Sequence, residues 1–356
     1  MKSGARIARR VLTAVGAAVA LFLAYLAIVA VVPGMAVPPQ PFGTDTAAVA
    51  RGDSDAGLGR RRVAFEVNGT PVNGWLYLPD DLAAPVPAVV MANGAGGTVE
   101  MAVPEYAARF REAGYAALAF DYRCWGESGG APRQLLWIPD QLVDLAAALE
   151  FARGRPEIDA SRIALWGTSF GGGHVLVTAA EDPGVRAVIA QVPFLDGRAA
   201  MELEREDESI GLGLRAIAHA QRDLVRSWLG LPAHYVPFVG RPGTIAVLAG
   251  KEAWDFFSAH APAGYENQVP ARILIRADKY RPVSRAREVR AAVLLQMAER
   301  DRFAPASAIE AAARELGERA TLKRYPIGHF EIYAGAAFEQ SVADQLAFLD
   351  RELGRK

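Results

Sequence analysis

Cysteine is almost missing from this sequence: among 356 residues there is only Cys124. That excludes a disulfide within the chain and any cysteine metal cluster, and it fits either side of a membrane. Excess charge of one sign is missing too. The formal net charge is −1, so nothing in the overall balance points to nucleic acid as a partner. No internal repeat with a period of roughly 20–50 residues is visible, which argues against a solenoid or propeller. Histidine is scarce, with His174, His219, His234, His260 and His329 the only five. What is abundant is apolar: 51% of the chain is hydrophobic, enough for a large core and against disorder away from the ends. The length suits one large α/β domain carrying an insertion, or two small domains.

Charge is also absent from one long run. Lys2, Arg6, Arg9 and Arg10 lie in a basic segment, 1–10, ahead of "VLTAVGAAVALFLAYLAIVAVV", residues 11–32. The next charged residue is Asp45. At about 1.5 Å per residue this helix spans the roughly 30 Å hydrocarbon core of a bilayer. The expectation is a single N-terminal transmembrane anchor, its basic end cytoplasmic and the rest of the protein outside. A cleaved signal peptide is the rival reading. Its apolar region is usually shorter, about 7–15 residues, and ends in an A-x-A-like site, of which "PGMAVPP" is a poor version. A buried core helix is the third reading. Arg9-Arg10 is too little for twin-arginine export.

Residues 33–60 are rich in Pro, Gly, Ala and Asp without apolar periodicity, and read as a linker. From there to residue 353 the chain reads as one domain, 61–353. "VAFEV" and "GWLYL" are strands joined at Asn68-Gly69, a hairpin signal. "PAVVMA" is a continuous apolar strand of the kind buried in a parallel sheet. Helices and strands then alternate through "PEYAARFREAG", "YAALAFD", "LVDLAAALEFARG", "RIALWG", "FGGGHVLVTAA" and "VRAVIAQV". Alternation of this kind predicts a mostly parallel sheet with helices on both faces. It stops over 195–289 and returns with "AAVLLQMAERD", "PASAIEAAARELG", "RATLKRYP" and a terminal helix. One sheet domain with a helical cap insertion at 195–289 accounts for this, placed to roof the carboxyl ends of the strands, where open α/β sheets bind ligands. The acidic run 202–208 inside the insertion reads as a solvated helix face rather than a metal site.

"ALWGTSFGGGHVLVTAA", residues 164–180, sets Ser169 between Gly167 and Gly171 at a strand-to-helix junction. G-x-S-x-G in that setting is a nucleophile elbow, in which a tight strained turn lifts the hydroxyl above the sheet and small neighbours avoid clashes. A serine hydroxyl is a weak nucleophile and needs a base, and on such an elbow an acid and then a histidine follow in chain order. His329, in "LKRYPIGHFEIY", leaves a late strand, turns at Gly328 and precedes the last helix, which makes it the expected base. Asp301, just past "AAVLLQMA", is the expected acid, with Glu299 the main rival and Asp278 a weaker one. His174 is expected to pack against the sheet, and His219, His234 and His260 to be cap-surface or pocket residues. The oxyanion hole would use the N–H of Phe170 and one from the glycine-rich loop "MANGAGGTVE", with Ala95 the expected donor and Gly94 and Gly96 shaping the turn.

Gly-Thr-Ser-Phe-Gly, Asn-Gly-Ala-Gly-Gly, "FDYRCWGESGG", Asp301 and "GHF" together resemble the α/β-hydrolase superfamily over roughly residues 62–353. "DYRCWGESGGAPR" and "ALWGTSFGGGHVL" are similar to the dienelactone hydrolase and acetyl xylan esterase-like branch, and more closely to a group that includes polyketide-transferring thiohydrolases. The resemblance implies an α/β-hydrolase fold and a serine hydrolase acting on a small-molecule ester or thioester. Such chemistry requires no metal or organic cofactor. This chain departs from the pattern at Asn93, where many relatives carry histidine, and in using serine where dienelactone hydrolases proper often use cysteine. Haloalkane dehalogenases are disfavoured because they need aspartate at the elbow. Asp121 and Arg123 match a supporting segment at the end of the fourth strand, and Cys124 reads as a small buried residue. Trp228, Tyr235, Phe238, Trp254, Phe256 and Phe257 give the insertion an aromatic supply suited either to an apolar acyl group or to the packing of the cap itself.

Overall fold

The computed structural model describes residues 2–31, 36–42, 54–55, 59–205 and 209–354. Of the expected linker, 33–35, 43–53 and 56–58 lie outside the described residues, as do 206–208 of the acidic run.

The chain opens with helix α1, Lys2–Val31. It begins earlier than the apolar run because lysine, alanine and arginine are good helix formers. Its stretch Arg10–Ala30 is long and apolar enough to cross a bilayer, with mean hydropathy 2.4, and all but its end is left uncovered by the protein. Only its last turn is covered: Ala30 is buried, and the carbonyls of Val29 and Ala30 accept hydrogen bonds from Arg222 and Arg226.

Eight strands then build the sheet: β1 (Arg60–Val67), β2 (Thr70–Tyr77), β3 (Val86–Ala92), β4 (Ala116–Phe120), β5 (Ile158–Thr168), β6 (Ala187–Gln191), β7 (Ala292–Ala298) and β8 (Ala320–Tyr325). With a two-residue edge strand at Ser54–Asp55, the order across the sheet is edge, β1, β2, β4, β3, β5, β6, β7, β8. Pairs from the edge to β4 are antiparallel and all others parallel. The β1–β2 hairpin pairs Val67 with Thr70 across Asn68-Gly69, both at positive φ (51° and 75°), as a two-residue turn of primed type requires. The helices α2 (Val103–Glu112) and α9 (Gly335–Leu353) cover one face, packing Tyr106, Phe110, Phe348 and Leu349 onto it. On the other face lie α3 (Ile138–Arg153), α4 (Phe170–Glu181) and α8 (Ala306–Leu316), with Leu145, Leu149, Val175, Leu176 and Ile309. β3, β4, β6 and the second half of β5 are buried on both faces, which is why they read as apolar runs.

From β3 the chain steps to β4 on one side and then crosses to β5 on the other. That reversal leaves a crevice at the carboxyl ends of β3 and β5, the position where doubly wound sheets bind ligands. The residues between β6 and β7 sit over it. They form α5 (Gly197–Arg205), α6 (Ile210–Trp228), α7 (Lys251–His260), two short strand pairs and three 3-10 segments. Buried Asp223 ties this region together: its carboxylate accepts from the backbone N–H of His234 (2.8 Å) and Arg272 (3.0 Å) and pairs with the Arg272 guanidinium. The last 3-10 segment, Pro282–Glu288, packs against α4 and α8.

Candidate active site

At the end of β5 the chain must turn at once into α4, and two glycines make room. A Cβ on Gly167 would sit 2.2 Å from the Gly171 carbonyl oxygen, and one on Gly171 would sit 2.3 Å from that of Ala92. Ser169 between them takes φ 52°, ψ −118°, a conformation costly for a residue with a side chain. Its backbone is pinned on both sides: its N–H donates to the Gln191 carbonyl (2.9 Å), and its carbonyl accepts from Gly172 (3.0 Å) and Phe194 (2.8 Å). The end of β6 thus holds the strained turn in place.

Three expected residues meet here. His329 Nε2 is 3.0 Å from Ser169 Oγ, and His329 Nδ1 is 2.6 Å from Asp301 Oδ2. A carboxylate only accepts, so Nδ1 carries the proton and Nε2 accepts from the serine hydroxyl. The second oxygen of Asp301 accepts the backbone N–H groups of Phe303 and Ala304, both at 2.8 Å. His329 and Asp301 are buried, and the rings of Phe303 and Phe330 flank the imidazole at 5.4 and 4.9 Å between centroids. The rivals are elsewhere: Glu299 is exposed, and Asp278 has one buried oxygen without a partner and no contact with His329.

Phe170 is the first residue of α4, so its N–H has no acceptor within the helix. Ala95 lies on the loop after β3, whose Gly94 packs 3.3 Å from the Ser169 Cβ when given a Cβ of its own. That loop is fastened at several points. Gly97 N–H closes a turn onto Gly94 (3.2 Å), Tyr265 donates to the Gly96 carbonyl (2.9 Å), and Gly96 takes φ 69°. Asn93 donates to the Phe120 carbonyl (3.0 Å), its side-chain oxygen buried without a partner. Asp121 accepts from Val99 N–H (2.9 Å) and Glu127 N–H (3.0 Å), and burial raises its carboxyl to about 6. Arg123 pairs with buried Asp144. Cys124 is buried, its thiol raised by desolvation.

Ser169, Phe170, Ala95 and His329 all line one cavity of about 1020 Å³. Phe256 and Phe257 of α7 line it, whereas the other expected aromatics do not: Phe238 is fully buried, Trp254 packs on Phe42, Tyr235 donates to the Arg133 carbonyl, and Trp228 is exposed. For Trp228 and Trp254 the reason is helical phase, since they lie on sides of α6 and α7 that do not face the crevice. Sequence reasoning missed Met201 and Leu203 of α5, Leu212 of α6 and Glu252 of α7. Glu252 accepts from Phe330 N–H (3.2 Å), joining the roof to the loop that carries His329, and Phe256 stacks on Phe330 at 4.6 Å. Nothing local in the sequence signals those contacts.

The remaining histidines stand apart from the serine. His219 and His234 lie ring to ring (interplanar angle 4°, nitrogens 2.8 Å apart) within the inserted region, and His260 is exposed and stacked on Phe256. His174 is fully buried between Tyr280 (2.6 Å) and Gln141 (3.0 Å), and desolvation lowers its pKa to about 3. An unfolded histidine titrates near 6.5, so below that pH the unfolded chain takes up a proton that the native chain refuses until about 3. Stability from this group is complete above about 6.5 and is lost as the pH falls toward 3, by about 1.4 kcal/mol per unit at most. His174→Gln is expected to flatten the fall of Tm between about pH 6.5 and 4, the slope shrinking by close to one proton. His234, lowered to about 4 chiefly by burial, leaves part of the slope in place. Thermal unfolding across that range checks it.

Comparison with known proteins places this architecture. The model of the X-Pro dipeptidyl-peptidase (S15 family) matches residues 68–205. The crystal structure of the α/β hydrolase GrgF from Penicillium sp. superposes with a TM-score of 0.70 at 25% identity, covering 83% of this chain and 99% of that one. Quorum-quenching protein AidA from Acinetobacter baumannii is 39% identical over 291 residues, 81% of this chain and 94% of the relative. The chain belongs to the α/β-hydrolase superfamily. A thiohydrolase of Eupenicillium brefeldianum is 26% identical over 306 residues, 83% of this chain and 96% of that protein. The thiohydrolase and polyketide transferase branch of the superfamily is thus among its relatives, in line with the resemblance read from "DYRCWGESGGAPR".

Proposed function

We propose that the protein is a membrane-anchored serine hydrolase that cleaves a small-molecule carboxylic ester or thioester through an acyl-enzyme. One observation carries the reading: an unbroken hydrogen-bonded chain from Ser169 Oγ through His329 to Asp301 on the wall of the large cavity. In the first half-reaction, Ser169 Oγ attacks the substrate carbonyl carbon and its proton passes to His329 Nε2. The imidazolium is stabilised by Asp301 through Nδ1–H. The tetrahedral oxyanion is held by the N–H groups of Phe170 and Ala95 at the positive end of α4. Collapse breaks the bond to the alcohol or thiol, which leaves with the proton from His329. Water then attacks the acyl-serine, gives its proton to His329, and the acid departs as Ser169 regains its hydrogen. No step uses a metal or an organic cofactor.

The apolar wall formed by Phe256, Phe257, Met201 and Leu212 suits an acyl chain. The names of the relatives, a thiohydrolase and a quorum-quenching protein, fit a small ester or thioester. The size of the cavity favours a second reading on the same residues, acyl transfer to an acceptor other than water, because about 1020 Å³ leaves room beside an acyl chain. The apolar stretch Arg10–Ala30, preceded by basic residues, supports an anchor with the catalytic residues on the outer side.

A matched set of oxygen ester, thioester and amide carrying the same acyl group tests this. The ester and thioester are expected to turn over and the amide to remain. Equal cleavage of the amide would move the protein to the peptidases, and no cleavage of any would end the hydrolase reading.

A further inference from the structure

α6 carries an apolar face that stays exposed among the described residues. Ile210, Leu214, Ile217 and Trp228 are 85%, 63%, 44% and 63% exposed, and their spacing puts them on one side of the helix. Leu229 and Leu231 continue the patch beyond its end. Gln221 lies on the same side, between Ile217 and Trp228, and there α1 crosses: Tyr25 bonds to Gln221, and Arg222 and Arg226 donate to the carbonyls of Val29 and Ala30. Those carbonyls belong to the last turn of α1, where no intrahelical donor exists, so α6 caps the end of the apolar stretch.

The crossing fixes a depth. Tyr25 to Ala30 covers roughly 7 Å of helix rise, which is where an interfacial helix sits, its apolar face about 5–10 Å into the boundary between headgroups and acyl chains. Trp228, exposed at the end of the helix, is the kind of side chain such a boundary favours. The opposite side of the same helix, at Leu212, lines the cavity with Ser169.

We infer that α6 is a membrane-surface helix, docked on the outer leaflet that α1 spans, and that it delivers amphiphilic acyl esters or thioesters from lipid into the cavity. The occupant of the exposed face is the bilayer, because α1 brings that face to the end of a bilayer-length apolar helix. The delivery half rests on the hydrolase reading above; the docking half does not.

The full chain reconstituted in phosphatidylcholine nanodiscs gives both readouts. With brominated acyl chains, Trp fluorescence is expected to fall, and the loss to shrink in Trp228→Phe. A loss that Trp228→Phe leaves unchanged overturns the docking, and a dimeric mass that dissociates in the Trp228→Phe variant identifies a second copy as the occupant instead. The triple variant Ile210→Asn, Leu214→Asn, Ile217→Asn changes only exposed positions. It is expected to hydrolyse vesicle-borne p-nitrophenyl palmitate roughly tenfold more slowly while p-nitrophenyl acetate in solution stays within about twofold. Equal loss on both esters, or none on either, overturns the delivery. If the unaltered protein cleaves neither ester, the hydrolase reading fails while bromolipid quenching still decides the docking.

Discussion

Ser169→Ala lowers kcat by about a million-fold, the scale seen when the nucleophile of a hydrogen-bonded Ser-His-Asp set is removed. The size follows from what is left. His329 and Asp301 keep their contact but have no hydroxyl to activate, and only the N–H groups of Phe170 and Ala95 continue to favour the oxyanion. The fold has no reason to suffer. Alanine keeps the Cβ and the strained φ of 52° that serine already tolerates, and the three backbone bonds that pin the turn involve no side-chain atom. Steady-state rates on an ester substrate, paired with a Tm within about a degree or two of the parent, check both parts. A loss below about a hundredfold would mean that another group attacks the carbonyl.

Asp301→Asn costs about ten-thousand-fold in kcat, for a reason written in the hydrogen bonds around it. One carboxylate oxygen accepts two backbone N–H groups, from Phe303 and Ala304, and only an oxygen can keep both. The asparagine amide nitrogen is therefore turned toward His329 Nδ1. There it donates, so the imidazole moves its proton to Nε2 and faces Ser169 as a donor instead of an acceptor. The base is present, correctly placed and in the wrong tautomer. Asp301→Ala differs: the two N–H groups of the Phe303 turn lose their acceptor, so stability falls along with the rate. Kinetics and Tm measured on both variants separate the tautomer effect, which spares Tm, from loss of the turn, which does not.

Much of the site was legible because its parts are local. The glycines around Ser169 are demanded by the Ala92 and Gly171 carbonyls, and a strand–turn–helix written as "ALWGTSFGGGHVL" admits few other readings. The chain order of acid and histidine narrowed their positions to two loops. For the acid the sequence favoured Asp301 but left Glu299, in the same loop, and Asp278, after the separate run "ARILIRA", as rivals, since all three follow apolar runs. The end of β7 decides the geometry: Glu299 is exposed beyond the strand, while Asp301 turns back under Phe303. The sheet was legible for the same reason, each strand being a short apolar run between turn signals.

The roof was much less legible. The Glu252 contact with Phe330 spans many residues of chain, and mixed helices carry no mark of which side meets the crevice. Trp228 looks like a pocket residue by type and is an exposed one by phase. The buried glutamines are similar. Gln345 of α9 donates to Gln191 (2.8 Å) and Gln296 (2.7 Å), and Gln191 reaches Thr168 beside the serine (3.2 Å). Such a network supports the elbow only because four separate segments are satisfied together, which no single stretch of sequence announces.

The most direct measurement is the site of covalent capture. The intact protein treated with a fluorophosphonate, digested and analysed by mass spectrometry, is expected to carry one adduct, on the peptide containing Ser169, and none when Ser169 is alanine. An adduct on any other residue, or no adduct on the folded protein, would contradict an activated serine at the end of β5.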